Sequence, residues 1–398
     1  VHAGVASARG GPAGGDGGFV EISGQRGLQI TGSVDVGAPA GKPGTVLIDP
    51  VDLYIIADGD EAILPPGAEQ VDNALLADLI LSSDEGPDLA FLYDFQITTL
   101  IGDVRLEAQQ DIFVYTSLIG SAAGSLTLDA GRDIEIRAAI SDWTGITLNA
   151  GADIRIINDG MTTFGSLFDD ASIALRAGNA ITIGGPVITQ GTLDMEAGSG
   201  GISQTDYIEA AILRLRTTGN AVLDFPLVLV EDENRVGRLA ESTVSGNLFL
   251  RTGQFANQAD LELAEAITVG GTLTLEPWGG VLQLPGSTVQ ASVLDIFGFG
   301  DVTLRGDNQI AQISRLISTG TIDLRNVQSL LVAGPVESAA VPTVIMDIEG
   351  DLTIADSVSS VGEVRLRASG NLSLTSTGSV TAGSGACRGC SSPATCWF

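Results

Sequence analysis

The chain is poor in the residues on which most catalysis and nucleic-acid binding rest. Among 398 residues there is one histidine, His2, and among 19 basic residues the only lysine is Lys42. A single histidine excludes a Ser-His-Asp or Cys-His relay within the chain and removes the usual zinc ligand. The basic residues face 49 acidic ones, a formal charge of -30. No Lys/Arg cluster supplies the basic footprint that nucleic acid requires, and the same field repels anionic lipid while leaving room for weak Ca2+ binding. No apolar run approaches the ~18 residues of a membrane-spanning helix, so membrane insertion is not expected. Aromatics make up only 5% of the chain, which leaves Leu, Ile, Val and Ala to fill the core.

Glycine and alternation are what the chain has in quantity. Its 52 glycines are spread along the sequence and fall at the corners of a repeat, which marks them as turning points and not as a flexible linker. The repeat is plainest in residues 124–140, GSLTLDAGRDIEIRAAI, and again in 145–159, GITLNAGADIRIIND. In each copy an alternating apolar pair (Leu126 and Leu128; Ile146 and Leu148) precedes a small-residue turn (Ala130-Gly131; Ala150-Gly151), and a second pair follows (Ile134 and Ile136; Ile154 and Ile156). Period two sends these aliphatics to one face and Thr127, Glu135, Thr147 and Arg155 to the other.

The offset of 20 residues from Leu126 to Ile146 belongs to stacked repeat architectures. One copy cannot fold alone, because each Leu or Ile contributes roughly 1.5 to 3 kcal/mol only once neighbouring coils cover it. Looser copies begin at Val104, Ile173, Leu193, Leu213, Leu248, Leu273, Val302, Val344 and Val364. We expect an all-β fold, a parallel β-helix or solenoid of roughly 20-residue coils, forming one elongated domain with three short strands per coil. Pro226, Pro277, Pro285 and Pro342 are expected at corners, where a missing N–H costs no ladder bond.

A second signal lies in residues 17–56, GGFVEISGQRGLQITGSVDVGAPAGKPGTVLIDPVDLYII. Gly17 to Glu21, Ser23-Gly24, Ser33 to Asp35, Gly44-Thr45 and Leu47 to Pro50 follow one another as GGFVE-SG, SVD and GT-L-DP. In that order they resemble the segment that closes the first helical portion of filamentous haemagglutinin-like exoproteins of the two-partner secretion pathway. The L-x-L-x-A-G-x-x-I-x-I repeat resembles the coils of that family. The resemblance implies a right-handed β-helix, export across a Gram-negative outer membrane by a partner transporter, and a secreted or cell-surface location. It also implies adhesion to a host or bacterial surface glycan or protein. The Asn-Pro-Asn-Gly secretion motif of the family does not occur in the sequence. The chain starts at Val1 with neither Met nor a signal peptide, and we expect it to be part of a longer protein.

On this reading residues 1–57 are the opening block of the β-helix, 58–100 an irregular insertion, 101–386 the repeat rod and 387–398 a cysteine-containing tail. Three polar interruptions are candidate contact loops, since a solenoid carries specific contacts on its protrusions. The first, 58–95, holds Asp58, Asp60, Glu61, Asp84 and Glu85 and a helical spacing at Val71, Leu75 and Leu79, which places a short helix or loop outside the coils. The second, 158–170, holds Asp169 and Asp170, and the third, 231–238, holds Glu231, Asp232 and Glu233. A solvated connector is the plainer reading of each. No cofactor is expected: the GGDGG of residues 14–18 is like a single calcium-binding nonapeptide, and one copy completes no ligand shell.

Catalysis is not expected either. The enzymatic alternative is a β-helical polysaccharide lyase with Arg132, Arg137 and Arg155 along one face. Arginines alternating with acids on outward strand positions instead form ladder pairs of little individual worth, and Trp143, Trp278 and Trp397 lie far apart in the chain. The three cysteines, Cys387, Cys390 and Cys396, all sit in the tail. In an exported chain they read as an oxidised pair with one thiol left over, with metal binding as the lesser alternative. In the resembled family a disulfide loop of this kind can anchor an adhesin in its transporter. The sequence shows no cap for the unpaired strand edges at either end of the stack. Either polypeptide continues there or copies join head to tail as subunits of an extracellular filament. The reading we carry forward is a surface adhesin.

Overall fold

A computed structural model describes residues 4–23, 33–49, 52–57, 60, 89–98, 102–120, 124–158, 166–169, 172–225, 233–253, 260–339, 343–383 and 395–397. Their secondary structure is nearly all parallel β-strand, wound as a β-solenoid of about 13 turns with coils of about 22 residues. The chain divides into two compact units, Val1–Gly198 and Ser199–Phe398, where the repeat alone pointed to one domain.

Among the described residues three long ladders build the first unit, beside a separate parallel pair of Val5–Ser7 with Ser33–Asp35. One stacks Phe19–Ser23, Thr45–Asp49, Asp103–Ala108, Leu126–Ala130, Ile146–Ala150, Ser172–Ala177 and the later half of Val187–Ala197. A second contains Asp52–Ile56, Ile112–Val114, Ile134–Ile136, Asp153–Ile157 and Ala180–Gly184. A third contains Leu118–Ile119, Ala139–Ser141, Ser166–Asp169 and the start of Val187–Ala197. The register follows from the repeat. Leu126 lies opposite Ile146, Leu128 opposite Leu148, Ile134 opposite Ile154 and Ile136 opposite Ile156, all buried at 1% exposure or less.

The corner between the first two ladders explains the Ala-Gly pair. Successive corners sit so close that a Cβ on Gly151 would lie 2.1 Å from the Gly131 carbonyl oxygen, and one on Gly178 2.0 Å from that of Gly151. A few residues on, an aspartate of each coil holds the next. The Oδ1 atoms of Asp52, Asp111, Asp133 and Asp153 accept the backbone N–H of Asp111, Asp133, Asp153 and Ala180 at 3.0 to 3.1 Å.

Residues 89–93 correct the expectation of an insertion packed outside the coils. They form a strand, Leu89–Tyr93, paired parallel to Asp52–Ile56 on the edge away from Ile112–Val114, and Leu92 and Tyr93 are buried. The strand enters the sheet because Leu92 can join the interior while Tyr93 and Tyr54 close over the outer face. A short α-helix, Asp94–Thr98, follows it and buries Ile97. Tyr54 stacks on Phe113 at 4.7 Å, and Phe113 stacks on Tyr115 at 6.2 Å. Val71, Leu75 and Leu79 lie outside the described residues.

In the second unit several strands bend through a corner without breaking. Ala266–Pro277, Thr288–Gly298 and the 17-residue Val302–Ser318 each pair with strands of more than one ladder. Buried amides hold the bends. Asn308 is fully buried and exchanges two hydrogen bonds with Gln283, at 2.8 and 3.0 Å, while its Oδ1 also accepts the Val289 N–H at 2.9 Å. Asn326, in register with Asn308, accepts the Ile310 N–H at 2.8 Å and donates to the Ile310 carbonyl at 3.0 Å. Pro285 lies in a turn, as expected, and Pro277 is the last residue of its strand. Pro226 and Pro342 lie outside the described residues.

Against the expectation of uncapped ends, one strand edge near the carboxyl terminus is covered. Thr395–Trp397 runs antiparallel along Glu363–Ala368, with Cys396 opposite Leu366. A reversed strand satisfies the edge N–H and C=O groups of that strand and cannot propagate the parallel stack.

Candidate functional site

Of the predicted contact residues, Asp60, Asp169 and Glu233 are described. Asp58, Glu61, Asp84, Glu85, Asp170, Glu231 and Asp232 lie outside the described residues, as do Cys387, Cys390 and His2. Asp60 is exposed, and its N–H donates to the Ala57 carbonyl at 3.1 Å. Asp169 belongs to Ser166–Asp169, in register with Thr189, so the end of the second interruption is ladder and not protrusion. The third interruption is corrected more fully. Arg235–Leu239 is a strand of the second unit, and Glu233 and Asn234 before it are buried at 5% and 1% exposure. Solvation was the wrong reading because Asn234 is a fastener. Its Nδ2 donates to the Leu223 and Arg251 carbonyls, each at 3.1 Å, and its Oδ1 accepts from Gln204 and from the Ile208 N–H at 2.8 and 3.0 Å.

The arginines of the lyase alternative are all ion-paired, Arg132 and Arg155 across coils and Arg137 within its own. Arg132 grips the buried Asp111, Arg137 binds Glu135, and Arg155 bridges Asp133 and Asp153 at 3.2 and 2.6 Å. A base for proton abstraction needs a free lone pair, and a guanidinium held by carboxylates is kept charged.

Two concavities stand out. The larger, about 700 Å3, runs along the Ala-Gly corner of the first unit between Arg105 and Glu196. It is an open trench, its floor made of Ala and Gly and its polar residues turned on one another: Arg105 binds Asp129 at 2.6 Å, and Arg176 lies 3.5 Å from Asp194.

The smaller, about 210 Å3, is a cleft in the second unit where the ladder through Leu248–Thr252 turns its corner. Alternation places Arg251, Glu276 and Phe297. Leu248 and Leu250 point inward and Arg251 outward; one coil on, Leu273 and Leu275 point inward and Glu276 outward; in the next, Leu294 and Ile296 point inward and Phe297 outward. The corners that follow add Trp278 and Phe299. The Trp278 N–H donates to the Thr252 carbonyl and the Phe299 N–H to the Gly279 carbonyl, both at 3.0 Å. Phe225 comes from an earlier corner. The rings of Trp278 and Phe299 are 5.1 Å apart and those of Phe297 and Phe299 5.5 Å, the second pair edge to face.

An ion-pair chain closes one wall. Glu276 accepts from Arg251 at 2.8 Å and from Arg315 at 2.7 Å; Arg315 also binds Asp295 at 2.6 Å, and Arg251 reaches Asp224 at 2.7 Å. The guanidinium of Arg315 lies 5.4 Å from the Phe297 ring centre, over its face. Burial pushes the Glu276 carboxyl up, but the hydrogen bonds from Arg315 and Arg251 outweigh it and hold the group below its ordinary range. Glu233 stands against Gly253, where any Cβ would collide with its carboxylate.

No family model, curated protein or solved structure matches this chain. The cleft therefore stands on its own geometry: four aromatic rings, a wall of ion-paired charge and a rigid amide floor. The sequence carried one signal for it. Trp278 and Phe299 stand 21 residues apart at the same offset behind Leu273-x-Leu275 and Leu294-x-Ile296, so one coil places them together. Counting tryptophans alone misses this, because the partner rings are phenylalanines. Among the described residues no cluster of His, Cys, Asp and Glu is arranged to hold a metal.

Proposed function

We propose that the chain is an exported, surface-associated β-solenoid that works by attachment, with the aromatic cleft of the second unit as its contact site. The observation that carries the reading is the cleft itself. An apolar hollow with a few fixed polar groups is the usual form of a binding site, and this one is built on strands and held by Asn234, so it is preorganised. The solenoid fold suits an adhesin, and the resemblance of residues 17–56 to the two-partner secretion exoproteins supports export to a Gram-negative cell surface. The partner is accordingly a host or bacterial surface component. Retention of the purified chain on immobilised cells or extracellular matrix tests the proposal. We expect Trp278→Ala combined with Phe299→Ala to lower retention at least tenfold with an unchanged circular dichroism spectrum; equal retention would refute the cleft as the contact site.

A further inference from the structure

Resting on the attachment reading, we infer that the cleft receives a single neutral pyranose ring and discriminates against anionic sugars. Size comes first. About 210 Å3 is below the ~300 Å3 at which pockets for drug-sized ligands begin, so the hollow takes one sugar ring and leaves the rest of a glycan outside. The lining comes second. A pyranose presents a face of C–H bonds, weakly positive, to the negative face of an aromatic ring. Phe299 is 47% exposed at the mouth, and Trp278 is half-buried behind it.

Charge decides the class of sugar. A uronate, sialate or sulfate is recognised by guanidinium groups with free donors in fork geometry. Here Arg251 is spent on Glu276 and Asp224, and Arg315 on Glu276 and Asp295. An anion would have to displace a carboxylate already in place, within a chain of net charge -30, and leave that carboxylate unpaired. Sugar hydroxyls need no such exchange. They donate to a lone pair left on Glu276, which lines the cleft, since a carboxylate offers about four acceptor positions. For a small quaternary cation the lining is mixed, Arg251 opposing it beside the carboxylates of Glu233 and Glu276, so choline serves as the control for charge.

The test uses the whole chain and four probes: methyl glucoside, methyl galactoside, glucuronate and choline, followed by tryptophan fluorescence and by calorimetry. We expect at least one methyl hexoside to bind in the millimolar range and shift the emission, glucuronate and choline to bind at least tenfold more weakly, and Phe299→Ala to cost tenfold or more. Phe299→Tyr should retain binding, which separates a lost ring face from a disturbed fold. Glucuronate or choline binding as well as the hexosides, no hexoside binding at all, or an unaffected Phe299→Ala variant would each overturn the inference. The attachment reading fails separately. If the double cleft variant binds no hexoside yet still attaches to cells, the sugar assignment stands and the attachment role falls; if it loses attachment while no hexoside ever binds, the reverse holds.

Discussion

Asn308 shows how one side chain can decide a bend. Its amide is fully buried and satisfies Gln283, the Val289 N–H and the Leu304 and Arg325 carbonyls. Truncation strands several buried groups, each costing about 1 to 3 kcal/mol. We expect Asn308→Ala to destabilise the second unit by about 3 kcal/mol or more in urea unfolding, and Asn308→Asp to rescue only the acceptor half. Tyr54 gives a spectroscopic handle. Burial first, then the nearby Asp52, pushes its hydroxyl from 10.0 up to about 12. In an ultraviolet titration Tyr54 should therefore ionise late, together with Tyr115, whose hydroxyl burial also pushes up, and Tyr54→Phe should shrink that late phase. The sign follows from linkage: a folded pKa raised above the unfolded one favours the fold below the unfolded value, and that contribution is lost as pH rises from about 10 through about 12.

At the level of the strand and its corner, stability depends on close stacking. Gly151→Ala forces a methyl group onto the Gly131 carbonyl, and overpacking of this kind costs typically 1–3 kcal/mol; thermal melting should show the loss, whereas Gly145→Ala, with its nearest neighbour at 3.7 Å, should be milder. The cleft wall has the opposite pH sign to Tyr54. Glu276 is held below its ordinary value, so its contribution is present above the carboxylate range and falls away as pH drops through the folded pKa. Hexoside binding should weaken in acid over that window, and Glu276→Gln should flatten the dependence.

These elements also show what the sequence discloses. Alternation at Leu126, Leu128, Ile134 and Ile136 discloses the strands, their inward face and, through the 20-residue offset, the register. It does not disclose Leu89–Tyr93, because a strand returning to an earlier edge leaves no periodic mark. Nor does it disclose the buried amides, since Asn234 and Asn308 sit in polar stretches that read as solvent-facing until the bend around them is seen. The cleft was half legible: its Trp278 and Phe299 carry the coil period, but the ion-pair wall joins Arg315 to Glu276, 39 residues apart, and needs the register of intervening coils.

For the molecule as a whole, the solenoid makes stability a nearest-neighbour property. Each coil touches the coils beside it, so the chain resembles a one-dimensional array. Leu148→Ala, removing a fully buried side chain, should cost about 2–5 kcal/mol. Hydrogen exchange should place the loss in the coils around residues 126–177 and leave 248–354 unchanged. Exchange accelerating evenly along the chain would show a single cooperative block instead.

Parallel pairing has a mechanical corollary. Because the ladder hydrogen bonds of either unit link one coil to the next, they point along the direction of stacking. A pull applied in that direction concentrates on the outermost coil and tears it free before its neighbour feels the load. Loading in that direction would give a series of small ruptures, each absorbing work and lengthening the chain by one coil, in place of a single snap.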